Sequence, residues 1–200
     1  MTDSKSVNQI YQGSFSDRGS KFYAFLHPIN NLDTYKTLIR RYKEENPNAC
    51  HVCSAYRIYL NGWVDEYATD DGEPNGSAGL PILNTLKKHK LVNVSAYVVR
   101  IYGGVNLGIP GLINAYSTCI DNAIDDNLLI DWYPMEKVII EYSYDLEKII
   151  NHVIKLMDAK IINQRFEKTI SLEIAVRESK KNIFLDLLNE KTSGKVVILK

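Results

Sequence analysis

Residues 70–81 read DDGEPNGSAGLP, which sets three acids, three glycines and two prolines directly ahead of the helical run ILNTLKKHK. A glycine-rich loop that opens a helix suits an anion, because the first amides of a helix have no partner within it and glycine lets a ligand approach the backbone. Asp70, Asp71 and Glu73 would repel that anion. A second loop of the same kind, GGVNLGIPG, lies at 103–111, and the two loops hold seven of the eleven glycines: Gly72, Gly76, Gly79, Gly103, Gly104, Gly108 and Gly111. Each opens a helix, so both helix N-termini can line one site. Neither loop is a nucleotide signature. The first lacks the Lys-Ser/Thr of a P-loop, and the second lacks the spacing G-x-G-x-x-G.

The acids have three readings. In the structural one they accept hydrogen bonds from the turn's own amides or pair with Arg57 and Arg100, which sit on apolar strands where an unpaired charge would be costly. In the second they point outward, toward a partner's basic group or a magnesium ion bridging to phosphate. Catalysis, the third, needs a nucleophile with a base or two carboxylates with separated pKa values. Ser77 is the nearby hydroxyl, but GSAG is not the G-x-S-x-G elbow, and its place ahead of a helix makes it an N-cap. His51 is the nearest base in sequence, at a strand start where a lone histidine usually packs. The DDGE run also fails the EF-hand spacing. These residues favour binding over catalysis and call for no cofactor.

The elements that must position them alternate along the chain. QIYQGSF and KFYAFLHPI form an antiparallel pair around a glycine turn. LDTYKTLIRRYKEEN is a helix with Asn31 or Asp33 as cap, and two strands, Cys50–Leu60 and Trp63–Ala68, follow around the turn Asn61-Gly62. The acid loop leads into a helix over Ser77–His89, whose terminal lysines suit the helix dipole. VNVSAYVVRIY, apolar at nearly every position, is a strand covered on both faces. The second glycine loop leads into a helix over Gly111–Asp125. From Glu136 the order is strand, helix, strand, strand, helix, strand, a ferredoxin-like unit with Ile150, Val153 and Phe184 against its sheet. The boundary is placed at Pro134, giving domains 1–134 and 135–200.

The 24 basic and 24 acidic residues balance, so bulk charge draws the chain neither to nucleic acid nor to an anionic membrane. The N-terminus lacks a basic n-region and an apolar h-region, and no apolar run reaches the ~20 residues of a membrane span. A cytoplasmic protein without membrane contact is expected. Cys50, Cys53 and Cys119 are expected to be reduced thiols, with the first two alternating to opposite faces of one strand and no second pair to complete a zinc site.

DDGEPNGSAGLP, VVRIYGGVNLG and GLINAY, with DRGSKFYA and the pattern of Ala49, His51, Ala55, Tyr56 and Arg57 upstream, resemble the Impact family in its bacterial, YigZ-like two-domain form (uncharacterised protein family 29) over about residues 10–130. The resemblance implies an α+β protein. Its first domain would share the fold of a small-subunit ribosomal protein, elongation-factor domain IV and the GHMP kinases, and its second would be similar to domain V of elongation factor G. It also implies translational control, since eukaryotic relatives are associated with restraint of an amino-acid-starvation kinase pathway through competition for a protein partner. Tyr116 falls in the family's GL-x-x-AY segment. Family members commonly carry a basic residue where this chain has Leu80, Asn106 and Asn114, so positive charge is lost from the glycine-loop face. The expectation is a translation-associated binding protein with a protein or ribosome/RNA partner and no sequence-specific DNA binding, with its acid loop holding Arg57 and Arg100. The alternative is a phosphate-ester or nucleotide-handling enzyme built on the same loops.

Overall fold

The computed structural model describes residues 4–199. The chain divides into two compact units between Trp132 and Tyr133, each an α+β assembly with its own sheet. In the first, the elements run β1 (Lys5–Ser6), β2 (Tyr11–Asp17), β3 (Ser20–Pro28), α1 (Leu32–Glu45), β4 (His51–Leu60), β5 (Trp63–Thr69), α2 (Gly79–Lys88), β6 (Val94–Ile101), α3 (Gly108–Asp121) and β7 (Ile130–Asp131). Five strands form an antiparallel sheet in the order β2-β3-β6-β4-β5. A short ladder of β1 with β7, unmarked by any pattern in the sequence, joins the two ends of this unit.

Local chemistry explains the layout. Both tight hairpins turn on residue pairs with positive φ, Arg18 (44°) with Gly19 (80°) and Asn61 (51°) with Gly62 (95°), whose twist matches the flanking strands. Asn31 caps α1 by accepting the Thr34 amide at 2.8 Å. β6 is buried from Val94 through Arg100 because helices cover both faces of the sheet. Ala55, Ala96 and Val98 face a core shared with Ile82, Leu86, Tyr116 and Ile120 of α2 and α3. Val52, Ile58, Tyr97 and Val99 face a more aromatic core under α1, with Tyr35 and Tyr42.

The second unit runs β8 (Met135–Tyr142), α4 (Glu147–Leu156), β9 (Lys160–Phe166), β10 (Ile170–Arg177), α5 (Lys181–Lys191) and β11 (Val197–Leu199). Its antiparallel sheet has the order β11-β8-β10-β9 of a ferredoxin-like unit. β10 buries every second residue, Ile170, Leu172, Ile174 and Val176, in a core with Ile150, Val153, Phe184 and Leu188. Among the described residues, no helix is long and apolar enough to cross a membrane.

Among the boundaries that differ from expectation, three bear on the site. β4 starts at His51, so Cys50 lies outside the strand and no alternation relates it to Cys53. α2 starts at Gly79 rather than Ser77. α3 covers Gly108–Asp121 instead of 111–125, because Pro110 sits in its first turn, where a missing N–H costs nothing.

Candidate functional site

Asp70 leaves β5 and turns back on its own loop. Its Oδ2 accepts the amide of Gly76 at 2.9 Å, and its Oδ1 accepts those of Ala78 and Gly79 at 3.0 and 2.8 Å. One carboxylate therefore closes the loop and occupies the N-terminal amides of α2. Burial pushes the Asp70 carboxyl up, but the three amides outweigh it and hold the group below its ordinary range. Ser77 is not the N-cap. Its hydroxyl donates to the Pro74 carbonyl at 2.7 Å and is fully buried, which also removes it as a presented nucleophile. Gly79 must be glycine, since a Cβ there would lie 2.7 Å from the Thr69 backbone. Gly76 takes φ +75°, as the turn into α2 requires.

Asp71 takes φ +46°, ion-pairs with Lys43 of α1 and accepts the Val52 amide at 2.8 Å. Gly72 follows at φ +91° and packs against the His51 ring. Glu73 turns inward to 8% exposure. Its Oε1 accepts Arg100 Nη1 at 2.6 Å and the Tyr116 hydroxyl at 2.8 Å. The Arg100 guanidinium lies over the rings of Phe22 and Tyr102, 5.5 and 5.6 Å from their centroids. Burial works against the Arg100 charge, and Glu73 outweighs it, so its pKa is raised. Burial, then Cys53 and Glu73, push the Tyr116 hydroxyl up, keeping it a neutral donor. His51 Nδ1 lies 2.8 Å from the Asp71 carbonyl, which accepts its proton, leaving Nε2 at 3.9 Å from Glu73 Oε2.

The loop acids thus hold one strand arginine, not two. Arg57 pairs with Glu66 at 2.9 Å and donates to the Leu91 carbonyl at 2.7 Å, and neither Asp70 nor Asp71 touches an arginine. The lysines ending α2 are also engaged, Lys87 with Glu66 and Lys88 with Asp121. Residues not singled out from the sequence as site candidates complete the arrangement. The Cys53 Sγ lies 3.0 Å from the Asp70 carbonyl and 3.2 Å from the Tyr116 hydroxyl, its single S–H shared between them, and Lys43 and Tyr102 close the two sides. Among the described residues, no group of three or more His, Cys, Asp or Glu side chains could hold a metal ion.

Both glycine loops open on one cleft of about 530 Å³, lined by His51, Gly72, Glu73, Arg100 and Tyr102 together with Leu107, Gly108 and Ile109. Gly103 is a packing position. A Cβ there would come within 1.9 Å of the Gly19 backbone in the β2–β3 turn. Gly104 and Gly108 take φ +87° and +71°, and a Cβ on Gly111 would press on Leu107 at 3.0 Å. No side chain caps α3.

A family profile described as the Impact N-terminal domain matches residues 18–124, over half of the chain and all of the loop constellation. The chain belongs to the Impact family. An Impact family member of Haemophilus influenzae is 31% identical over 182 residues, covering 90% of this chain and 87% of that protein. The Impact family member YvyE of Bacillus subtilis is 30% identical over 176 residues, covering 88% and 81%. A crystal structure of a hypothetical protein superposes with a TM-score of 0.66 at 26% identity, over 100% of this chain and 97% of that one. Likeness to Impact members therefore extends through both units.

Proposed function

We propose that this Impact-family chain is a cytoplasmic, translation-associated regulatory protein that binds a protein partner or ribosomal RNA and requires no cofactor. One observation carries the preference for binding over chemistry: the reactive groups of the acid loop are spent on contacts within the first unit. Asp70 holds three amides, Glu73 holds Arg100 and Tyr116, and Ser77 is buried against Pro74. The result is a cleft with exposed apolar side chains at Tyr102 and Ile109, suited to recognition.

The translational part of the proposal rests on the family resemblance, as does the proposed kinship of the first unit with a ribosomal protein and elongation-factor domain IV and of the second with elongation factor G domain V. Because Leu80, Asn106 and Asn114 bring no charge to the glycine-loop face, a protein partner is favoured over a phosphate backbone, and sequence-specific DNA binding is not proposed. A second reading, a phosphate-ester or nucleotide-handling enzyme, draws on the opening of both glycine loops onto one cleft.

Ribosome co-sedimentation over a range of salt, beside a pull-down from native lysate, separates these. A protein contact gives co-sedimentation or capture that changes little with salt. A phosphate contact weakens steeply as salt rises. Turnover of a phosphate ester that is indifferent to ribosomes and lost in Asp71→Ala would replace the binding reading with the enzyme.

A further inference from the structure

Arg100 lies on the cleft floor at 6% exposure. Among the described residues its guanidinium makes one hydrogen bond, Nη1 to Glu73 at 2.6 Å, and its enclosed Nε–H has no acceptor. A guanidinium carries five N–H donors, so this buried group is short of partners, a state that native structures seldom leave unanswered. The second glycine loop, which lines the same cleft, supplies a further set of donors that no side chain caps. The amides of Leu107, Gly108 and Ile109 open α3 with no side chain to cap them, whereas the amides of α2 are taken by Asp70. All three residues line the same cleft as Arg100.

We propose that this cleft is a binding site for a small carboxylate with an apolar body. Its oxygens would meet Arg100 and the α3 amides, and its hydrocarbon would lie against Tyr102, Ile109 and Leu112. Charge selects carboxylate over phosphate. Glu73 already offsets most of the Arg100 charge, and Asn106 and Asn114 add none, so a single negative charge is what the helix terminus and the shared guanidinium can hold. A phosphate dianion would face the Glu73 carboxylate across the cleft floor. The rim selects an apolar body, since Tyr102 and Ile109 are 46% and 53% exposed with nothing covering them among the described residues. The cleft volume, about 530 Å³, is that of a small-molecule site. The proposal concerns a small ligand and stands apart from the translational reading.

The test is a nuclear magnetic resonance titration of the isotope-labelled full chain with 3-methylbutanoate, following the amides of residues 104–109 and the Arg100 Nε–Hε signal. Saturable shifts confined to that set are expected. The uncharged isostere 3-methylbutanamide should bind at least about tenfold more weakly, the loss of a charge-assisted hydrogen bond. Ile109→Asp, on an exposed position whose substitution leaves the rest of the spectrum in place, should weaken the acid by at least about tenfold as well. Replacing Arg100 itself is avoided because the buried pair with Glu73 also supports the fold. The proposal is overturned if no saturable shift appears, if the amide binds as well as the acid, if inorganic phosphate binds more tightly than the carboxylate, or if only a peptide ending in a free valine carboxylate binds.

Discussion

Asp70 concentrates three backbone amides on one carboxylate, so its removal has a definite signature. Asp70→Ala should cost about 2 kcal/mol in denaturant unfolding, from the lost α2 cap and the amides left without an acceptor. Its pH dependence has a fixed sign. The folded pKa is held below the ordinary 3.8, so the stabilisation is complete above that value and is lost as pH falls through the lower folded value. In Asp70→Asn this part of the acid limb should vanish, which stability measured between mildly and strongly acidic pH would show. Glu73 and Arg100 form a buried pair. Either one changed to Ala should cost about 3–5 kcal/mol, and the double variant should cost less than the sum of the singles. Additive losses would mean the 2.6 Å contact carries no coupling. The sequence marks the acids as special but not their partners. Arg57 was nonetheless placeable: a tight turn at Asn61-Gly62 fixes the register that puts Arg57 opposite Glu66. No such rule brings Glu73 to Arg100, because that contact depends on how β6 and the loop meet in three dimensions.

At the scale of elements, the hydrophobic periods and turn residues made every long helix and strand legible, since those signals are local. Asn31 before α1 and the unbroken apolar run of β6 are examples. Helix starts inside the glycine loops were not legible. α2 is capped by a residue on the far side of its loop, and α3 has no side-chain cap at all, so neither start carries a capping residue beside it in sequence. Two neighbouring glycines separate packing from conformation. Gly103→Ala should cost about 3 kcal/mol or more, because its Cβ would enter the β2–β3 turn. Gly104→Ala should cost about 1 kcal/mol, for its positive φ alone, since nothing lies within 4 Å of its Cβ. Thermal or denaturant unfolding of the two variants gives the comparison, and equal losses would refute the packing role of Gly103.

For the whole molecule, the change of rhythm after Trp132 is the visible trace of two separate hydrophobic cores, because each unit satisfies its own sheet and helices. A fragment of residues 1–132 is expected to unfold cooperatively on its own, with chemical shifts of the acid loop matching those of the full chain. A broad, non-cooperative transition would show that this core depends on the second unit. The balanced net charge carries a further expectation: apart from any specific contact, the chain should show little salt-dependent affinity for bulk nucleic acid.

The closeness of Gly103 to the β2–β3 turn bears on how such a chain can vary over generations. The atoms that a Cβ at residue 103 would strike are the carbonyl carbon of Gly19 and the nitrogen of Ser20, which every amino acid carries. No exchange of side chain at 19 or 20 can make room, so a suppressor of Gly103→Ala must change the length or path of the turn. A genetic screen for second-site revertants should therefore return insertions or deletions around residues 17–20, or true reversion, in place of point substitutions.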